Sequence, residues 1–344
     1  METVNLDEIL NESLKMMEED FYKQKFYFSY SSLSKLLWSP VAFHQIYIMG
    51  MRPEKQEAHL VQGQIVHNLL LEPEKFNERF IISPDNLPTG TVRTVIDRVF
   101  SHHLELSQHG DKRVELTEFN DAILDVMRDM NYYQSLKTDQ QRLDKIVNSE
   151  NISYWNFLVT KGNKTLISQE DYNYCSSAVD LIKNDSNLCK LLGCNLTEFD
   201  NREVFNEKPL QCEANKNFGL KGIVDNLVID HDEKILYIND VKTTSKDLKD
   251  FPETIEFYSY WMQAVLYCTL VSINYRQLLD VGYQIKFHFV VIDRNFQTYA
   301  FPVREQTLQD WLERLSLSLN KAEWHYKNRN YTLPYDFATG SVVL

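Results

Sequence analysis

The sequence predicts an α/β (α+β) fold in which helices flank a central mixed β-sheet, and three observations carry that prediction. Between about Arg202 and Thr244 the chain reads as short β-rich runs, REVFNE, GLKGIVDNLVI and KILYINDVKTT. A helical stretch from about Ile255 to Ser272 separates these from two more strand-like runs, YQIKFHFVVID and QTYAFPV. Helical spacing dominates before residue 195 and again from about Gln306 to Tyr326. Helices, strands, a helix, strands and a helix in that order imply a sheet with both parallel and antiparallel neighbours, covered by helices.

Residues 1–27 begin METVNLDEILNESLKMMEED, an acidic amphipathic stretch that reads as one helix or a partner-binding arm. It lacks the basic start and apolar run of a secretory signal. In YFSYSSLSKLLWSP the serines offer N-caps to a short helix carrying Leu33, Leu36 and Leu37, and Pro40 marks a break. AHLVQGQIVHNLLL, Ala58 to Leu71, has helical spacing, with Leu60, Gly63, His67 and Leu70 along one side. A glycine inside a helix is costly, so Gly63 implies a closely packed neighbour. Residues 28–85 thus form the N-terminal helical part of a core. Residues 86–195 are mainly helical and polar, carry no chemical motif, and read as an insertion. Residues 196–344 supply the sheet and the last helix.

Composition narrows the function classes. Apolar residues at 43% and charged residues at 25% describe a globular chain rather than a disordered one. No apolar run approaches the ~20 residues that span a bilayer, so no membrane association is expected. Five scattered cysteines without a CxxC pair point to reduced thiols and a cytoplasmic location, and they argue against zinc or an iron–sulfur cluster. The net charge of −13 disfavours a surface coated in phosphate contacts; nucleic acid would have to meet a local basic groove or a metal site.

The chemistry concentrates in GIVDNLVIDHDEKILYINDVKTT, two apolar β-runs joined by a polar turn. A turn centred between Asp232 and Glu233 places Asp225 opposite Asp240, with Lys242 on the same face as Asp240. Two facing carboxylates in apolar strands repel each other and cost desolvation energy. A divalent cation between them removes both penalties, and Mg²⁺ or Mn²⁺ prefers such oxygen ligands. Lys242 beside the ion could orient or deprotonate water, or hold a phosphate oxygen, which suits phosphodiester hydrolysis. The plainer alternative makes Lys242 a salt-bridge partner of two acids at strand ends.

In these residues the chain resembles the PD-(D/E)XK nucleases, in particular the RecB/RecE-like branch that includes phage-type exonucleases and exodeoxyribonuclease VIII. The resemblance rests on Gly222-Ile223-Val224-Asp225, then Asp240-Val241-Lys242, then Gln263 and Tyr267 in a Q-x-x-x-Y pattern. It is extended by His67 in GQIVHNLLLEP and by the early serine-rich pattern around Ser31, and it covers roughly residues 28–85 and 200–325. It implies a restriction-endonuclease-like core and a metal held by His67, Asp225, Asp240 and the Val241 carbonyl. Lys242 then acts on water, and Gln263 and Tyr267 contact the lysine, water or DNA backbone. Glu203 aligns with a glutamate on the preceding strand, although an exposed strand glutamate fits it equally well. Ser32, Ser34, Thr243 and Thr244 are candidate DNA contacts. Alone, His67 would read as a core or surface histidine, and Gln263 with Tyr267 as a polar patch.

The expectation is therefore a Mg²⁺-dependent deoxyribonuclease, with Mn²⁺ able to substitute, that degrades DNA from its ends. By the resemblance its polarity is 5′ to 3′, its setting recombination, repair or phage DNA replication, and its partners DNA, a recombinase or replication protein, and further copies of itself. A single-strand-specific nuclease or an endonuclease is the alternative within the enzyme class. A DNA-end-binding or replication-partner protein with a structural role is the alternative outside it, kept open by the acidic N-terminus and the insertion.

Overall fold

The computed structural model describes residues 16–51, 58–84, 87–108 and 113–342. Most of the expected N-terminal arm lies outside these; residues 16–23 are helical. The chain divides into two compact units, Met1–Glu72 with Ser176–Leu344, and Pro73–Cys175.

The first unit is built on a six-stranded mixed sheet. Its strands are β1 (Phe26–Phe28), β2 (Arg202–Glu213), β3 (Phe218–Asp230), β4 (Ile235–Thr244), β5 (Gln284–Asp293) and β6 (Thr298–Val303). β2 runs antiparallel to β3 along most of its length. On β3's other edge, β1 pairs in parallel with Phe218–Leu220 and β4 pairs antiparallel with Asn226–Asp230. That edge is open between Leu220 and Asn226. β4 continues beyond the opening as the parallel partner of β5, and β6 closes the sheet antiparallel to β5.

The helices of this unit include α1 (Tyr30–Trp38), α2 (Ala58–Leu71), α3 (Ser186–Leu192), α4 (Phe251–Phe257), α5 (Tyr260–Asn274) and α6 (Glu305–Asn328); α2, α3 and α5 pack on the central strands, and α1, α4 and α6 pack against α5. α5 is apolar on nearly every side, with Trp261 to Tyr267 all buried, because it is sandwiched between the sheet and α6. Phe28, Leu33, Val224, Ile238, Leu266, Phe287 and Leu315 belong to the same core. The helix expected from Ile255 to Ser272 is two helices. They break at Ser259, whose φ of 58° lies in the left-handed region.

The second unit is mainly helical, with helices Gly90–Gln108, Asn120–Asp129, Asp139–Ile146 and Ser149–Lys161 around Phe119 and Trp155. The Trp155 indole donates to the Val114 carbonyl at 2.6 Å, which satisfies the polar atom of a fully buried side chain. Strands Phe80–Ile82 and Thr165–Ile167 form a small parallel pair here. At three residues each, they are too short for periodicity to reveal.

Candidate active site

The hairpin register explains the site's location. Asn226 pairs with Asn239 and Asp230 with Ile235, as a turn centred between Asp232 and Glu233 requires. One residue further on, at Asp225 and Asp240, the strands part. The backbone groups released by this fork find other partners: the Val241 N–H donates to Asp225 Oδ2 at 2.8 Å, and the Val241 carbonyl accepts from His67 Nε2 at 2.7 Å. A buried backbone group without a partner costs a hydrogen bond's worth of free energy, so these two contacts hold the fork open in one geometry.

His67 reaches the fork from α2. Gly63, one turn earlier, allows the approach: a Cβ there would lie 3.3 Å from Thr243 Oγ1. His67 Nε2 lies 3.7 Å from Asp225 Oδ2, and Nδ1 lies 3.6 Å from Glu207 Oε1. The ligand atoms of His67, Glu207 and Asp225 all fall within 4.8 Å of one another. His67 keeps 26% of its side chain exposed. Burial alone would depress its pKa, but Asp225 and Glu207 outweigh burial and raise it to about 9.

Asp240 is fully buried; its Oδ2 lies 2.5 Å from the Lys242 ammonium in an ion pair, and its Oδ1 has no hydrogen-bond partner. Burial, with Asp225 adding to it, raises the Asp240 carboxyl above its ordinary range. Burial would lower Lys242, yet Asp240 and then Asp225 hold its ammonium protonated well above the usual lysine range. The Lys242 ammonium also lies 4.9 Å from the centre of the Tyr260 ring.

Gln263 and Tyr267 share a face of α5, and the Gln263 amide donates to the Tyr267 hydroxyl at 2.9 Å. Burial raises the Tyr267 pKa well above its ordinary value, with Asp225 adding to the effect, so the phenol stays a neutral donor near the acids. Tyr267 also accounts for Gly222, since a Cβ at 222 would lie 2.8 Å from the Tyr267 ring.

Not every candidate from the sequence joins this cluster. Glu203 accepts from His231 Nε2 at 2.8 Å and pairs in register with Ile229, toward the turn end of the hairpin. Glu207, four residues later on β2, stands beside His67 instead. It is a non-glycine residue at φ 47°, and a strained backbone of this kind is typical of functional positions. No sequence motif marks Glu207; it lies between Asn206 and Lys208, whose partners Asn226 and Val224 flank Asp225 on β3. Ser32 is buried and closes a capping box with Ser29, so it offers no surface to DNA. Ser34, Thr243 and Thr244 are half-buried. Tyr30, which sequence reasoning passed over, has its pKa raised mainly by burial and feels both Lys242 and Asp240.

The donor set suits a hard divalent cation. His67, Glu207 and Asp225 bring an imidazole and two carboxylates together beside the Val241 carbonyl, while Asp240, which is not one of that trio, is buried with Lys242 as its close counter-charge. Among the described residues no helix is long and apolar enough to cross a membrane.

No curated protein matches the chain. A solved structure from Eubacterium rectale, named "Putative exonuclease", covers 100% of this chain and 95% of its own at 12% identity and a TM-score of 0.46. The family model of the PD-(D/E)XK nuclease superfamily matches residues 27–331. That span holds His67, Glu207, Asp225, Asp240 and Lys242, and the chain belongs to the PD-(D/E)XK nuclease superfamily.

Proposed function

We propose that the chain is a Mg²⁺-dependent deoxyribonuclease that hydrolyses phosphodiester bonds at DNA ends. The observation that carries this reading is the buried Asp240–Lys242 ion pair, a fully buried carboxylate with one oxygen unpartnered, together with the His67, Glu207 and Asp225 cluster. A protein using the fold only as a scaffold has no need to hold such an acid in its interior.

His67, Glu207, Asp225, Asp240 and the Val241 carbonyl would hold the ion. Bound there, it supplies Lewis acidity and a water of lowered pKa. The protonated Lys242 donates to the attacking water or a phosphate oxygen and offsets negative charge at phosphorus. Asp225, anchored by the Val241 N–H, keeps the two strands at a fixed separation, and Tyr267 and Gln263 close the inner wall. The preference for ends over internal sites comes from the motif resemblance to phage-type exonucleases.

Assays on linear duplex, covalently closed circular and single-stranded DNA test the reading. Linear substrates should be degraded with Mg²⁺ and spared with EDTA, and closed circles should survive. Asp240→Ala should lose at least about a hundred-fold in rate. If wild type and Asp240→Ala behave alike on every substrate, the reading is wrong.

A further inference from the structure

We propose that Tyr260, Tyr258 and Phe257 form a stacking track that takes the unpaired bases of one DNA strand beside the catalytic fork, with Lys242 and Lys246 meeting its phosphates. The inference rests on the nuclease reading for the identity of the strand, and on the rings, their exposure, the backbone and the flanking charges for the track itself.

The rings are continuous with the site. Lys242 lies over the Tyr260 ring, Tyr260 stacks with Tyr258 at 5.5 Å and 26°, and Tyr258 meets Phe257 edge-on at 4.9 Å. Lys246 closes the far end, 5.8 Å from the Phe257 ring centre. The outer two rings are in solvent: Phe257 is 63% exposed and Tyr258 49%. Aromatic side chains of this size usually bury most of their surface, so two adjacent ones held outside the core call for an occupant.

The backbone is shaped to present them. Ser259 takes a left-handed conformation unfavourable for a residue with a Cβ, and it separates α4 from α5 at the point where the three aromatics emerge. The Tyr30 hydroxyl donates to the Tyr258 carbonyl, which fixes that break to α1. Without the interruption one helix would spread Phe257, Tyr258 and Tyr260 around its circumference.

Chemistry selects the occupant. Cations at both ends of a run of aromatic faces match a nucleic-acid strand, whose phosphates and bases alternate, and every base offers a π-face. Glu256, on the same helix, is held by Arg314 through two contacts of 2.9 Å, so its charge is offset. In duplex DNA each internal base is already stacked between its neighbours, so its faces are unavailable to protein rings. The track therefore favours a single strand or a frayed end over blunt duplex.

The test measures binding by the full-length protein, using fluorescence anisotropy with a labelled single-stranded oligonucleotide and a blunt duplex, in Ca²⁺ and again in EDTA. Phe257→Ala with Tyr258→Ala should weaken single-strand binding roughly ten-fold or more while changing duplex binding less than about two-fold. Phe257→Trp with Tyr258→Phe should retain single-strand binding, and Phe257→Leu with Tyr258→Leu should not. Four outcomes overturn the proposal: no measurable single-strand binding in either condition, equal loss on both DNAs, rescue by leucine, or a change in oligomeric state on sedimentation without a change in DNA binding. The underlying reading fails separately. Aromatic-dependent binding without Mg²⁺-dependent cleavage would leave the track and remove the nuclease, whereas Mg²⁺-dependent cleavage together with any of those four outcomes would do the reverse.

Discussion

At the level of single residues, the site is assembled from groups that each oppose folding. Glu207 adopts a left-handed backbone, Asp240 is fully buried, and Lys242 is held charged in the interior by that acid. Such features persist when the surroundings over-determine them, and they concentrate where chemistry is done. Glu207 permits a direct test because strain and function can be separated there. Glycine tolerates φ 47°, so Glu207→Gly should be no less stable than wild type in urea, and up to about 1 kcal/mol more stable. The same change removes a carboxylate from beside His67, so divalent-metal affinity by titration calorimetry should fall. Unchanged affinity would exclude Glu207 from the ligand set. The sequence led to Glu203 because a glutamate at a familiar spacing is visible there, whereas the site of Glu207 is fixed by cross-strand register, which a linear motif does not display.

At the level of elements, the legible parts were those with a period or a punctuation mark. α2 was readable from its spacing and Gly63 from its cost in a helix, and the structure places Thr243 against that glycine. The hairpin register came from the polar turn alone. The fork, by contrast, depends on β4 leaving β3 to pair with β5, a tertiary choice that neither strand encodes by itself. The break at Ser259 was hidden for a similar reason, since serine carries no general preference for a left-handed backbone. Two motifs that looked independent prove to be one packing unit: Gly222 on β3 is small because the Tyr267 ring of α5 lies against it. A methyl group at 222 would sit 2.8 Å from that ring and 3.1 Å from Leu270 Cδ1, so something must shift. Gly222→Ala should therefore cost about 1–3 kcal/mol of stability, as overpacked cores do. It should also lower cleavage by displacing the tyrosine from the acids. A variant with wild-type melting temperature and activity would show that the ring moves freely and is not a fixed wall of the site.

At the level of the whole molecule, the chain carries a net charge of −13, yet the six-stranded sheet also holds a base that resists protonation. His288 lies on β5 between Asn239 and Pro302, near the Tyr237 ring, with Nδ1 buried and unpartnered. Burial, helped by Lys286, pushes its pKa down to about 4 from 6.5. The unfolded ring then takes up a proton at a higher pH than the folded one. Between about 6.5 and about 4 the unfolded chain binds more protons, and folding stability falls as the pH drops through that window. Below the window this contribution changes no further. Asp240 works in the opposite sense, because its raised carboxyl takes up a proton more readily when folded. A wild-type pH profile alone therefore mixes the two effects, and comparison with a variant isolates the histidine. In urea titrations at neutral pH and near pH 5, His288→Leu should lose less stability on acidification than wild type, by on the order of 1–2 kcal/mol. Equal losses would mean that the buried imidazole finds a proton acceptor on acidification and that the acid sensitivity of the fold resides in its carboxylates.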